Sequence, residues 1–213
     1  MSRARILMAD DHKMVVEGLR NIIESEFDLV GTVGDGRALL DSSSKLRPDV
    51  IIADISMPML NGIDAVKQIK KKDPNVKVIF LTMHPDVSYA AEAFESGASG
   101  YVLKHSAPDE LITAIREVLK GKTYITPMIA GELIQEYKKG DYIKNEAMVK
   151  LSSRQREVLQ LLTEGKTAKE VAGILNISTR TVEFHKYKMM EILGIKSSAE
   201  LVQYAIKHLI VTT

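Results

Sequence analysis

Three carboxylates, one hydroxyl and one ammonium recur in this sequence at one kind of place, the last residue of a short apolar run or the first residues beyond it. Asp10 and Asp11 follow Ala4 to Ala9, Asp54 follows Val50 to Ala53, Thr82 closes Val76 to Thr82, and Lys104 follows Ser99 to Leu103. If those runs are parallel strands, the side chains share one rim, the carboxyl edge at which open α/β sheets bind ligands. Three carboxylates on one rim repel each other strongly. A hard divalent ion such as Mg²⁺, which takes oxygen ligands and keeps several waters, removes that objection. The hydroxyl and the ammonium suit an incoming phosphoryl group, as donor and as point charge. Asp54 is the first candidate for the working residue, although taken alone it reads equally as a strand-end turn former.

The elements that would hold these residues follow from periodicity. Besides the four runs above, Leu29 to Val33 reads as a strand, and amphipathic stretches lie near 13 to 25, 37 to 46, 62 to 72, 87 to 96 and 108 to 120. Such βα alternation implies a parallel sheet with helices on both faces, and right-handed crossovers leave few topologies. Within DVIIADISMPMLNG, Asp49 to Gly62, the turn signal Met57-Pro58 follows the strand and Gly62 opens the next helix. Residues 122 to 147 lose the alternation. Thr126-Pro127 begins a short helical pattern through Ile129, Leu133, Ile134 and Tyr137, which gives way to Lys138-Lys139-Gly140-Asp141, a tether with one helix. From Leu151 onward there are only helical segments. Ser152 with Gln155, Thr167 with Glu170, and Ser197 with Glu200 fit the capping-box pattern, Ser178 is a fourth N-cap, and Gly165 is placed as a helix stop.

The 213 residues suffice for two small domains. No apolar run approaches the roughly 18 residues of a membrane span, so no membrane partner is expected. The amino-terminal MSRARILMADD reads as a first strand, not a signal peptide. The absence of cysteine excludes disulfides and thiolate zinc sites and fits a cytoplasmic protein. Charge is split along the chain: residues 1–121 hold 15 Lys+Arg and 18 Asp+Glu, net −3, and residues 148–213 hold 10 and 6, net +4. The basic end hints at nucleic acid.

The pair Thr167 to Leu175 and Thr179 to Leu193, joined by Asn176-Ile177-Ser178, has helix-turn-helix spacing. On the second helix Val182, Met189 and Leu193 share a core-facing side, while Arg180, Phe184, Tyr187, Lys188 and Glu191 lie opposite with Glu183 on the flank. Exposed aromatics beside cations suit a major groove, where apolar groups meet thymine methyls and cations meet phosphates and guanines.

Residues 3 to 121 resemble a two-component receiver domain. The resemblance rests on the paired acids Asp10 and Asp11, the motif D-x-x-M-P-x-x-x-G at Asp54, Met57, Pro58 and Gly62, and Thr82 and Lys104 at later strand ends. It implies the flavodoxin-like, doubly wound parallel five-stranded sheet of order 2-1-3-4-5, for which a chemotaxis receiver is a standard example. It also implies that Asp54 accepts a phosphoryl group from a histidine kinase. Asp11, Asp54 and the Ser56 backbone carbonyl would hold Mg²⁺, with Asp10 acting through water. Thr82 and Lys104 would bond the phosphoryl oxygens, and Tyr101 would be the aromatic that moves inward with Thr82. The chain departs from the commonest pattern at Met83 after Thr82 and at His105 after Lys104. Ser56 and His84 occupy positions that tune hydrolysis in the family, and His12 reads as a helix-start residue.

The carboxyl-terminal string from Leu151 to Ile195 resembles the LuxR-type helix-turn-helix of NarL/FixJ response regulators. Matches run through Arg154, Glu157-Val158-Leu159, Gly165, Lys169-Glu170-Val171-Ala172, Leu175, Ser178, Thr181-Val182, His185 and Leu193-Gly194. This all-α four-helix domain would read bases with Glu183, Phe184 and Tyr187 and contact phosphates with Lys169, Thr181, Lys186 and Lys188, Arg180 lying on the same exposed side. Gln155 and Ile192 depart from the usual Glu and Lys, and His185 reads as a packed scaffold residue.

The domains are thus expected at 1–121, 122–147 for a linker with a short helix, and 148–213. The function implied is a phosphorylation-gated transcriptional regulator, with a sensor histidine kinase and double-stranded DNA of two half-sites as partners. A homodimer is expected when it is phosphorylated or DNA-bound. No turnover of an outside substrate is expected. An aspartate-nucleophile phosphohydrolase needs a second Asp two residues beyond the first, where this chain has Ser56. The remaining alternative is a DNA-binding regulator whose receiver is vestigial and works without phosphorylation.

Overall fold

Strands buried on both faces need near-continuous apolar runs, and β1 (Arg5–Ala9), β3 (Val50–Ala53), β4 (Lys77–Thr82) and β5 (Gly100–Leu103) have them. The computed structural model describes residues 3–139, 151–208 and 210–211. In it these strands and β2 (Asp28–Val33) form a parallel sheet in the expected order β2-β1-β3-β4-β5. Between them run α1 (Lys13–Glu24), α2 (Gly36–Leu46), α3 (Gly62–Lys72) and α4 (Val87–Glu95), and α5 (Ala107–Leu119) follows β5. Ile6, Met8, Val50, Ile52, Ile79, Leu81 and Val102 pack with α1 and α5. Leu7, Ile51, Val78, Phe80 and Tyr101, also fully buried, alternate with them and so point to the other face.

Among the described residues the sheet has six strands, which corrects the five-stranded expectation. β6 (Tyr124–Ile125) pairs parallel with β5, within the segment read as a linker. Two residues leave no periodic trace, and polar contacts define this strand. Thr126 N–H donates to Tyr101 O at 3.0 Å. The hydroxyls of Thr126 and Tyr124 donate to one oxygen of Glu110, at 2.9 and 3.1 Å. The helix expected from Thr126-Pro127 follows as α6 (Pro127–Lys139) and lies against α4. Both elements belong to the first compact unit of the chain. The rest of the expected linker, residues 140–147, and the start of the last domain at 148 lie outside the described residues.

The second unit is helical: α7 (Ser153–Thr163), α8 (Ala168–Leu175), α9 (Thr179–Leu193) and α10 (Ser198–Lys207). Reciprocal capping boxes start α7 at Ser152/Gln155 and α8 at Thr167/Glu170. The third expected box is incomplete. Ser197 Oγ accepts from Glu200 N, but the Glu200 carboxylate takes Lys196 N–H and the Ser197 hydroxyl, not the Ser197 N–H. The core gathers Val158, Leu161, Val171, Val182, Met189 and Leu201. Among the described residues no helix is long and apolar enough to cross a membrane.

Candidate functional site

Asp54 is positioned by how β3 ends. The chain turns back so tightly that a Cβ on Gly62 would lie 2.0 Å from the Asp54 backbone oxygen, while Gly62 N–H donates to Ile55 O at 2.8 Å. Only glycine permits that approach, which is the physical content of the D-x-x-M-P-x-x-x-G spacing. The Asp54 carboxylate is 3% exposed. Its Oδ1 accepts from Ile55 N at 2.7 Å and its Oδ2 from Lys104 Nζ at 2.7 Å. The same ammonium lies 2.8 Å from Asp10 Oδ2, so Lys104 bridges two buried acids from β3 and β1.

Burial pushes the Asp54 carboxyl above its usual range, against the pull of the Lys104 ammonium. Lys104 behaves in the opposite way. Burial would lower it, yet Asp54 and Asp10 together hold it above its ordinary value, so it stays an ammonium at neutral pH.

Asp10, Asp11, His12 and Asp54 each present a ligand atom, all within 4.8 Å of one another. Asp10 Oδ2 is buried with no hydrogen bond beyond its ion contact to Lys104. Three crowded carboxylates with one such oxygen are the donor set of a hard cation, and the residues fit Mg²⁺. His12 is the N-cap residue of α1, the place read from sequence, and it donates its backbone N–H to Asp10 Oδ1 at 2.9 Å. Its Nδ1 also lies 3.2 Å from Asp10 Oδ1 and 2.9 Å from Asp11 Oδ1, contacts that its helix-start role did not suggest.

Thr82 is fully buried at the end of β4, beside Leu103 of β5 in register, and its Oγ1 accepts from His84 N at 3.3 Å. Tyr101 is also fully buried, its hydroxyl donating to His84 O at 2.7 Å. Ser56 Oγ meets His84 Nε2 at 2.8 Å. Burial pulls the His84 imidazole below its ordinary value. The structure therefore brings Asp10, Asp11, Asp54, Ser56, Thr82, Tyr101 and Lys104 to one sheet edge. The resemblance placed Ser56 and His84 at one site, but their spacing of 28 residues gave no sign of the hydrogen bond between them.

In the helical unit, Asn176 ends α8 in the left-handed conformation, φ 52°, and Ile177 N–H closes the turn on Ala172 O at 3.0 Å. Arg154 fixes that turn by donating to Leu175 O at 2.7 Å. Ser178 then caps α9, its Oγ accepting from Thr181 N at 3.1 Å. Val182 and Met189 of α9 are fully buried and Leu193 half-buried, as its wheel implied. Phe184 and Tyr187 are 63% and 65% exposed, and Arg180 and Lys188 are exposed beside them. Glu183 and Lys186 are half-buried, and Lys169 is exposed on α8. Two candidates are already engaged: Thr181 Oγ1 bonds Ser178 Oγ at 2.8 Å, and Lys188 pairs with Glu191 at 2.9 Å.

Residues 6–116 match the response regulator receiver domain, and residues 149–205 match the bacterial regulatory proteins of the luxR family. The chain is 33% identical to the transcriptional regulatory protein MctR of Rhizobium johnstonii over 212 residues, covering 99% of this chain and 96% of that protein. It is 36% identical to the oxygen regulatory protein NreC of Staphylococcus carnosus over 210 residues, covering 95% and 97%. Among solved structures, the RcsB response regulator of Salmonella typhimurium superposes with a TM-score of 0.63 at 30% identity, over 96% of this chain and 97% of that one. The chain belongs to the two-component response regulators of NarL/FixJ type, DNA-binding regulators of transcription that join a receiver domain to a LuxR-type helix-turn-helix.

Proposed function

We propose that this protein is switched by phosphorylation of Asp54 and that the switch controls sequence-specific DNA binding by α9. The observation that carries the reading is the Asp54 carboxylate, buried at the sheet edge and bonded to Lys104, with Asp10 and Asp11 beside it. An Asp54 oxygen attacks the phosphorus of a phosphohistidine on a sensor kinase. The P–N bond breaks, and the imidazole leaves with the electron pair and takes up a proton. Lys104 neutralises charge building on the phosphoryl oxygens, and Thr82 donates its hydroxyl to one of them. Asp11, Asp54 and the Ser56 carbonyl would hold Mg²⁺ directly and Asp10 through water. When bound, Mg²⁺ supplies charge neutralisation for the carboxylates and the phosphoryl oxygens. Hydrolysis of the acyl phosphate resets the protein, which turns over no outside substrate.

The output follows from α9. Phe184, Tyr187 and Glu183 address base edges, and Lys169, Arg180, Thr181, Lys186 and Lys188 address the backbone. RcsB has been solved as dimers bound to DNA, which supports a homodimer here, placing two recognition helices on two half-sites. We take 1–121 as receiver with β6 and α6 packed onto it, the rest of 122–147 as linker, and 148–213 as DNA-binding domain, working in the cytoplasm. The test is treatment with acetyl phosphate and Mg²⁺ followed by intact-mass analysis and DNA selection from a random pool. The expected result is one phosphoryl adduct on wild type, none on Asp54→Asn, and tighter binding to the selected sequence only for the adduct. An adduct on both proteins would overturn the assignment.

A further inference from the structure

Ser56, His84 and Tyr89 come from three segments and meet in one line. Ser56 Oγ and His84 Nε2 share the 2.8 Å hydrogen bond. The His84 ring lies flat on the Tyr89 ring, centroids 4.1 Å apart and planes within 4°. Tyr89 stands in the first turn of α4 and is 8% exposed. The His84 backbone is held as well, through Thr82 Oγ1 at its N–H and the Tyr101 hydroxyl at its carbonyl. One residue thus touches the loop after β3, the end of β4, the side chain from β5, and α4.

We propose that His84 is a positioning residue that couples the loop carrying Asp54 to α4, with Ser56 as its input contact and Tyr89 as its output contact. The inference rests on the reading of Asp54 as phosphoacceptor and adds a route out of that site. Ser56 lies two residues beyond Asp54, and a phosphoryl group there brings acceptor oxygens that compete for whichever hydrogen, hydroxyl or ring N–H, joins Ser56 Oγ and His84 Nε2. Losing that bond frees the imidazole to shift. A gap of roughly 0.5–1 Å forfeits a quarter to a half of a van der Waals contact, so the stack on Tyr89 is sensitive to the shift. The first turn of α4 loses its anchor.

The test is amide hydrogen exchange over Val87–Glu95 in the full chain, unmodified and after acetyl phosphate treatment, with intact mass reporting acylation. In the unmodified protein Ser56→Ala, His84→Ala and Tyr89→Leu are each expected to speed exchange across α4 about fivefold. Tyr89→Phe, which keeps the stack, should match wild type, and the Ser56→Ala/His84→Ala double variant should match the single ones. Acylation should speed α4 exchange in wild type and add nothing in His84→Ala at equal adduct mass. If Tyr89→Leu speeds exchange while Ser56→Ala leaves it unchanged, the stack is merely structural and the coupling is wrong. If wild type gains no adduct, the acceptor reading fails, while the unmodified comparison still decides whether Ser56 acts on α4 through His84.

Discussion

The Asp54–Lys104–Asp10 contact sets an unfavourable charge balance that the protein uses. Burial raises the Asp54 carboxyl above its ordinary value of 3.8, so folding disfavours the ionised form. At pH below that ordinary value the group is protonated in both folded and unfolded chains and costs nothing. The cost begins as pH rises past the ordinary value and is complete above the raised folded one. Without Mg²⁺, Asp54→Asn is therefore expected to melt above wild type at pH 7.5, the gap closing toward pH 3.5 in thermal scans; a gap that widened on acidification would contradict the cause assigned. Mg²⁺ should raise the wild-type melting temperature, by about 2.7 kcal/mol of stability at a hundredfold excess over Kd, and leave Asp54→Asn nearly unmoved. These rim residues were legible because standing at the end of an apolar run is a one-dimensional property. The His12 and His84 contacts were not, because they depend on how side chains meet after folding.

Helices and strands were legible where periodicity or caps marked them and illegible where polar contacts made them. Boundaries of β1 to β5 fall within one residue of the apolar runs. β6 escaped because its definition lies in Glu110, Tyr124 and Thr126, whose hydroxyls converge only once α5 is in place. The glycine opening α3 was read from a motif, and its reason is steric: the backbone of Asp54 occupies the space of a Cβ. Gly62→Ala is expected to cost about 1–3 kcal/mol by urea denaturation and to reduce acylation of Asp54, since the loop must move. In the helical unit, Ser152→Ala removes one half of a complete capping box and should cost about 1 kcal/mol without changing acylation. Equal acylation in Gly62→Ala and wild type would mean that the tight turn does not position the acceptor.

Across the whole molecule, the acidic first unit and the basic last unit divide input from output along one chain, and both were readable because each carries its own signature. How acylation alters DNA binding was not readable, since it depends on populations of states and not on residue types. On the output side Phe184→Ala should relax discrimination at its base pair by about 1–3 kcal/mol, while Lys188→Ala should weaken all sequences alike and lower the salt slope by about 1. Neither should change the melting temperature much, because both side chains are exposed. Gating of DNA binding by Asp54 is measured as affinity on a selected operator, for wild type and Asp54→Asn, each with and without acetyl phosphate and Mg²⁺. Tighter binding is expected for treated wild type alone, with adduct mass and affinity rising together. Equal affinity in all four samples, with wild type fully acylated, would contradict it.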